Sequence, residues 1–360
     1  MRPTPLKGKT VLDLSSLVPG PFCSSLLQVF GATVVKVETP AGDPLRKINP
    51  VLFAQLNRGK KSVTVDLKDA DDQARLMALA ARADGLIEGF RPGVVDRLGL
   101  GFDTLAAANP ALVMCSLSGF GQDGPYRNRP AHDINILGLS GYFAVPSQMD
   151  GASTRPNIRL ADFIPGQTAA MSIAMALVAA GQSGTGSYID CSMYDCTASW
   201  AMPFLMATQG LRAETPADYP HVMADSALFE TLDGQHLTIG TLEDKFWQNL
   251  APVLAVVTPM LADEKWATRR GRDGDKQELH ELLTNCFRQR DLADWADVLA
   301  QVDTAWGPVY KGDAVLDDPH FKARGLVSGD TCAYPALFSG DRPEIGGDVP
   351  SLGQNNAELL

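Results

Sequence analysis

Three ionisable side chains stand where a strand gives way to a loop or a helix, and their types suit proton transfer. His132, one of only five histidines, opens the apolar run in "RPAHDINILGLSG" beside Asp133, after a stretch rich in Gly and Pro. Asp162 lies in "IRLADFIPGQTAAM", read as an apolar strand leading into a long helix, and Glu243 lies in "TIGTLEDKFW", where a helix again follows a strand. Imidazole titrates near neutrality and burial can bring a carboxyl there, so such a set can move a proton. A carboxylate can also act as a nucleophile. Taken singly, each residue has a plainer account. A lone histidine is more often a satisfied core residue, and a carboxylate at a helix start is an ordinary cap or dipole partner. Strand-to-loop junctions are nevertheless where the functional groups of α/β proteins collect.

The elements that must position these groups alternate. Apolar, β-branched runs at 9–16, 32–39, 61–67, 84–90 and 111–119 read as strands, with helices over 19–31, 69–83 and 103–110 between them. That spacing predicts βαβ units and a mostly parallel sheet, hence an α/β fold. A long helix is expected after 168, running to about 181, and 186–210 reads as a strand turning into an apolar helix. Residues 211–223 are polar and Pro-containing, as in a linker. Asp233-Gly234 marks a hairpin over 227–240, helical segments fill 243–301, and loops with short strands follow from 307.

Composition narrows the function. A chain of 360 residues, 45% hydrophobic and 20% charged, is an ordinary globular one with room for two domains. Its net charge of −11 argues against nucleic acid and anionic membrane as partners. The apolar stretch 168–180 falls short of the roughly 20 residues a bilayer requires. The N-terminus lacks a signal-peptide pattern, so the expected location is the cytoplasm. Six cysteines without CxxC spacing read as reduced structural thiols, with neither disulfide framework nor zinc. "GFGQDG" (119–124) fits GxGxxG, but "PYRNRP" follows and no helix starts there, so a dinucleotide is not expected. Residues 1–68 carry ten Lys/Arg against four Asp/Glu. Lys36, Arg46, Arg58, Lys60 and Lys61 therefore stand at strand ends either as phosphate ligands or as solvated edge charges. Arg91 and Arg97 flank the Pro92-Gly93 turn, where either meets phosphate or caps and pairs locally.

The ordered set "TVLDLSSLVPGPFCSSLLQVFGATVVKVETPAGDP", "NRGKKSVTVDLK", "GFRPGVVDRLGL", "LSGFGQDGPYRNRPAHDIN", "GSYIDCSMYD", "FETLDGQHLTIGTLEDKFW" and "GPVYKGDAVLDDPHFKARG" resembles the family III CoA-transferase and racemase superfamily, and within it the α-methylacyl-CoA racemases. The resemblance implies a Rossmann-like large domain over 1–210, completed by about 325–360, and a smaller α+β domain over 224–310. Linkers fall at about 211–223 and 311–324. It further implies an interlocked homodimer and an acyl-CoA substrate bound on the large domain, with CoA as part of the substrate and neither added cofactor nor metal. Candidate CoA contacts are Lys36, Val65, Asp66, Leu67, Gly89, Phe90, Arg91 and Arg97. In racemases of this kind the residues matching His132 and Asp162 exchange the proton at C2 of a 2-methylacyl thioester, and the residue matching Glu243 supports the imidazole. Transferases instead use the residue matching Asp162 as nucleophile; a non-catalytic acyl-CoA-binding protein is the remaining alternative. Backbone N–H groups at the helix start after Asp162 are expected to hold the developing oxyanion. The chain departs from the racemase pattern at "ADFIPG" (161–166), where Ile164 and Pro165 replace glycines and would reshape the pocket. It also carries Thr39 where relatives often have arginine, with Lys36 or Lys60 the expected substitute.

Overall fold

Short β-branched runs and the helices between them build a six-stranded sheet in the order β3-β2-β1-β4-β5-β6, every neighbouring pair parallel. The computed structural model describes residues 4–151, 154–343 and 345–360. In chain order the elements are β1 (Thr10–Asp13), α1 (Pro19–Val29), β2 (Thr33–Glu38), α2 (Leu45–Ile48), α3 (Pro50–Asn57), β3 (Lys61–Thr64), α4 (Ala70–Ala80) and β4 (Gly85–Glu88). Then come α5 (Val94–Arg97), α6 (Phe102–Ala108), β5 (Val113–Ser118), α7 (Asp133–Leu139), α8 (Leu160–Ser183), β6 (Ser187–Ser192) and α9 (Met193–Ala207). β1 to β4 read as near-continuous apolar runs because they are covered on both faces, as parallel strands must be. On one face Leu12, Val35, Val63 and Leu86 meet Leu76 and Leu79 of α4 in a single core. The free edge at β3 is closed by the C-terminal segment: Ser62 N–H donates to Asn355 Oδ1 at 3.0 Å and Thr64 N–H to Asn356 Oδ1 at 2.8 Å. Side-chain amides thus take ladder positions that an exposed edge would leave open.

The chain divides into two units. The first comprises Met1–Tyr142, Arg155–Met202 and Arg324–Leu360, and the second Phe143–Thr154 and Pro203–Ala323. Residues 143–154, placed in the large domain on sequence grounds, group with the second unit, and the boundary falls inside α9 rather than near 210. In the second unit β7 (Ser226–Glu230) and β8 (His236–Gly240) form the expected hairpin, joined by β9 (Trp306–Pro308). Helices α10 (Asp244–Ala255), α11 (Arg269–Gly274), α12 (Lys276–Phe287) and α13 (Leu292–Leu299) enclose a core of Trp247, Trp266, Trp295 and Phe287. Asp225 and Arg272, both fully buried, pair at 2.7 Å, and Arg272 reaches on to the Trp266 carbonyl and to Asp244.

One helix corrects the sequence reading. α8 begins at Leu160, not after 168, and no strand lies among the described residues of 145–159 that lead into it. Pro165 sits in the second turn of the helix, where it removes only the bond to the Ala161 carbonyl. At 24 residues α8 is long and apolar enough to cross a membrane by length and composition, unlike the stretch 168–180 alone. It instead packs on α1, β5 and β6, with Ala161, Ala169 and Ile173 buried.

Candidate active site

Two helix N-termini of the first unit carry His132 and Asp162. His132 is the N-cap of α7, an exposed side chain whose backbone N–H donates to Asn135 Oδ1 at 3.0 Å. The buried Ile136 and Leu137 one turn later anchor that helix. The glycine-rich segment before it forms no helix and is held at its start. Gly121, with φ of 84°, donates its N–H to Ser118 Oγ, and Gln122 N–H donates to Asp190 Oδ2 at 2.8 Å. Any other residue at Gly121 would be strained.

Asp162 is the third residue of α8, not its N-cap; that position is Arg159. The first turn is fixed from α1. Phe163 meets Phe22 edge-on at 4.9 Å, and Gly166 lies so close to α1 that a Cβ there would be 2.7 Å from the Pro19 carbonyl oxygen. Ile164, Pro165 and Gly166 are buried, so the departure from the racemase pattern is absorbed in helix packing rather than presented to a pocket. Half-buried Asp162 has its carboxyl pushed up to about 6, chiefly by burial and next by the charge of Asp133, against the opposing pull of Arg159 and His132. His132 is therefore within electrostatic reach of Asp162, and a carboxyl poised there can both give and take a proton near neutrality.

The expected oxyanion donors are not free. Leu160 N–H donates to the Ile158 carbonyl, Ala161 N–H to Asp133 Oδ1, and both Asp162 and Phe163 N–H to the Arg159 carbonyl. Pro165 has no N–H to offer. Asp133, which sequence reasoning passed over as a mere neighbour of His132, is thus the residue that completes the start of α8.

A cleft of about 320 Å³ opens at the carboxyl ends of β1 to β4, where ligands of open α/β sheets bind. Val65, Leu67 and Phe90 line it, with Ser15, Thr39 and Asp43. Asp66 is exposed beside the cleft, its Oδ1 accepting from Lys68 N–H, and Gly89 is exposed next to Phe90. Arg91 and Arg97 are exposed. A Cβ on Gly93 would lie 3.4 Å from Arg127 Nη2 and 3.6 Å from Arg97 Nη1, so two guanidinium groups converge over that turn. Arg127 was not anticipated, because a loop without periodicity gives no clue to what its side chains face.

Lys36 is a correction. Its ammonium is fully buried between Asp43, at 2.9 Å, and the Ser15 carbonyl, so it presents no surface to a phosphate. Lys60, its suggested substitute, is equally buried among Asp13, Ser24, Asn57 and the Pro21 carbonyl. Arg46 grips Glu38, Arg58 meets Asp330, and Lys61 meets Glu358. The basic character of residues 1–68 is largely spent on the fold's own carboxylates. Glu38 stands at the end of β2, where dinucleotide-binding folds place a ribose-binding acid. Here its oxygens are taken by Arg46, Ser62 and the Asp43 N–H. In the second unit, Glu243 is the exposed N-cap of α10 and makes no side-chain capping bond.

A parallel sheet of this order, with a cleft at its strand ends and an imidazole and a carboxyl on two adjoining helix starts, has the framework of an α/β enzyme. The chain belongs to CoA-transferase family III, whose profile matches residues 6–356. It is 34% identical to a succinyl-CoA–D-citramalate CoA-transferase of Chloroflexus aurantiacus, over 99% of this chain and 94% of that one. It is 33% identical to the α-methylacyl-CoA racemase of Homo sapiens, over 99% and 92%. A CAIB/BAIF family protein from Brucella suis superposes with a TM-score of 0.86 at 28% identity, covering 99% of this chain and all of that one. The family thus embraces both transferases and racemases.

Proposed function

We propose that this enzyme racemises 2-methylacyl-CoA thioesters at C2 by proton transfer between two groups. One group takes the α-proton, the electron pair moves into the thioester enolate, and the other returns a proton to the opposite face. The observation that carries this reading is the pairing of an imidazole and a carboxyl on neighbouring helix starts, with the Asp162 carboxyl held at about 6. Each such group contributes roughly 10²–10⁴-fold, so both are needed. The cleft lined by Val65, Leu67 and Phe90 suits part of the CoA moiety, with Arg91 and Arg97 as cations for its phosphates. The resemblance assigns support of the imidazolium to Glu243, and Glu243→Gln should slow exchange at the His132 side. Homodimer formation belongs to the same proposal. Met171, Met175 and Trp200, each at least 60% exposed on α8 and α9, are the apolar surface a second copy would cover.

The test is His132→Ala. CoA affinity should stay near the wild-type value, while deuterium wash-in from D2O should vanish for one enantiomer of a 2-methylacyl-CoA and persist for the other. Full exchange from both would overturn the assignment. CoA transfer, with Asp162 as nucleophile, is the second reading. It draws support from the transferases among the similar relatives, including an acetyl-CoA:oxalate CoA-transferase of Acetobacter aceti at 32% identity. Hydroxylamine trapping of an acyl group on Asp162 would favour it.

A further inference from the structure

Asp133 occupies a place between the two helix starts that the proton-transfer scheme does not use. Its side chain is 1% exposed. Oδ1 accepts the Ala161 N–H at 2.9 Å, a bond spanning 28 residues that ties the first turn of α8 to the first turn of α7. Oδ2 is buried with no hydrogen-bond donor. Its partner is the half-exposed Arg155 guanidinium, an ion pair at 3.6 Å that is too long for a hydrogen bond. A buried carboxylate oxygen held by one long ion pair and no hydrogen bond is costly, and a neutral serine or asparagine would serve an orphan N–H nearly as well. The retained charge calls for another account.

We infer that Asp133 is a positioning residue for Asp162: one oxygen clamps the start of α8, and the other oxygen sets a fixed negative charge beside the reacting carboxyl. The clamp holds His132 and Asp162 in register, since each lies next to a bonded residue. The charge disfavours a second anion nearby and keeps the Asp162 proton exchangeable near neutrality. Against it act Arg159 on the same helix, His132 on α7, and the half-exposed Arg155, whose ion pair with Oδ2 offsets part of the charge. Among the described residues of α1, β5 and β6, the titratable groups named next are thiols or are already engaged. α1 and β5 offer the thiols of Cys23 and Cys115. On β6, Asp190 is engaged by Gln122 N–H, Tyr188 by Ser116, and Cys191 lies against the Pro165 carbonyl.

The inference rests on Asp162 being the reacting carboxyl, and the experiment separates the two. Asp133→Asn keeps an acceptor for Ala161 N–H and removes the charge, whereas Asp133→Ala removes both. Two quantities are read against pH: deuterium wash-in for the enantiomer whose proton Asp162 removes, and the ¹³C shift of the Asp162 carboxyl, assigned by its loss in Asp162→Asn. In Asp133→Asn the acidic limb of the rate profile and the carboxyl titration should both move down by about one pH unit. Asp133→Ala should show the same displacement with the plateau rate at least about tenfold lower, the loss a misplaced group brings. An Asp133→Asn enzyme that loses rate while limb and titration stay put has lost only structure, and the inference is overturned. If the wild-type protein exchanges no α-deuterium, the racemase reading fails, and the carboxyl titration still decides the role of Asp133. If Asp133→Ala does not fold, Asp133→Asn alone decides it.

Discussion

Replacing Asp162 with asparagine should abolish proton transfer and yet make the folded protein more stable at neutral pH. The carboxyl rises from its ordinary 3.8 to about 6, with burial the leading cause and the Asp133 charge the next. A raised carboxyl pKa means that the folded chain holds the proton more tightly than the unfolded one. Below about 4 both states are protonated and no penalty exists. Between 3.8 and about 6 the unfolded chain ionises first, and above that window the full cost of a half-buried anion falls on the folded state. At about 1.4 kcal/mol per pH unit that cost is about 3 kcal/mol, and solvent screening of a half-buried group reduces it to about 2 kcal/mol. The position near the start of α8 favours an anion by only about 0.3–1 kcal/mol, so burial wins. Urea unfolding followed by circular dichroism at pH 7.5 should therefore show Asp162→Asn stabilised by about 2 kcal/mol. At pH 4 the advantage should shrink to less than about half of that. A variant less stable than wild type at pH 7.5, or one whose advantage is the same at both pH values, would refute the reasoning.

Other expectations follow from single contacts. Gly166→Ala would drive a methyl to 2.7 Å from the Pro19 carbonyl oxygen and 2.9 Å from Phe22. Backbone oxygen cannot step aside, so unfolding should become easier by about 1–3 kcal/mol, with catalysis reduced because Asp162 rides on the same turn. Arg272→Ala leaves the buried Asp225 with Arg269 as its remaining ion-pair partner, at 2.7 Å, and empties a fully buried site, so thermal melting should report a loss of about 3 kcal/mol in the second unit. Arg97→Ala and Arg127→Ala should each weaken CoA binding by about tenfold in titration calorimetry, the worth of one charge-assisted hydrogen bond, and 3′-dephospho-CoA will tell whether that phosphate is the one they hold. Equal affinities for all forms would remove both residues from the ligand site.

The strands, the hairpin at Asp233-Gly234 and most helices are legible in sequence because their signals are local: short continuous apolar runs, an Asp69 cap whose side chain accepts from Asp71 and Asp72 N–H, a turn dipeptide. The start of α8 is not local. Its Ala161 N–H is satisfied by a carboxylate 28 residues earlier, and its proline is tolerated because α1 and Phe22 fix the turn from outside. A reading that follows the chain delays the helix by two turns. The cations fail for a related reason. Lys36 and Lys60 are visible as charges near strand ends, the right place for a phosphate, but whether a lysine faces solvent or Asp43 and Asp13 depends on packing that no spacing rule encodes. His132 and Asp162 differ from the lysines in where the fold leaves them: α7 and α8 bring the two within electrostatic reach of each other. The same logic makes Asp133 invisible beforehand: next to a histidine it looks like part of the motif, and only the bond to Ala161 and the second oxygen, which no hydrogen bond reaches, show that it belongs as much to α8.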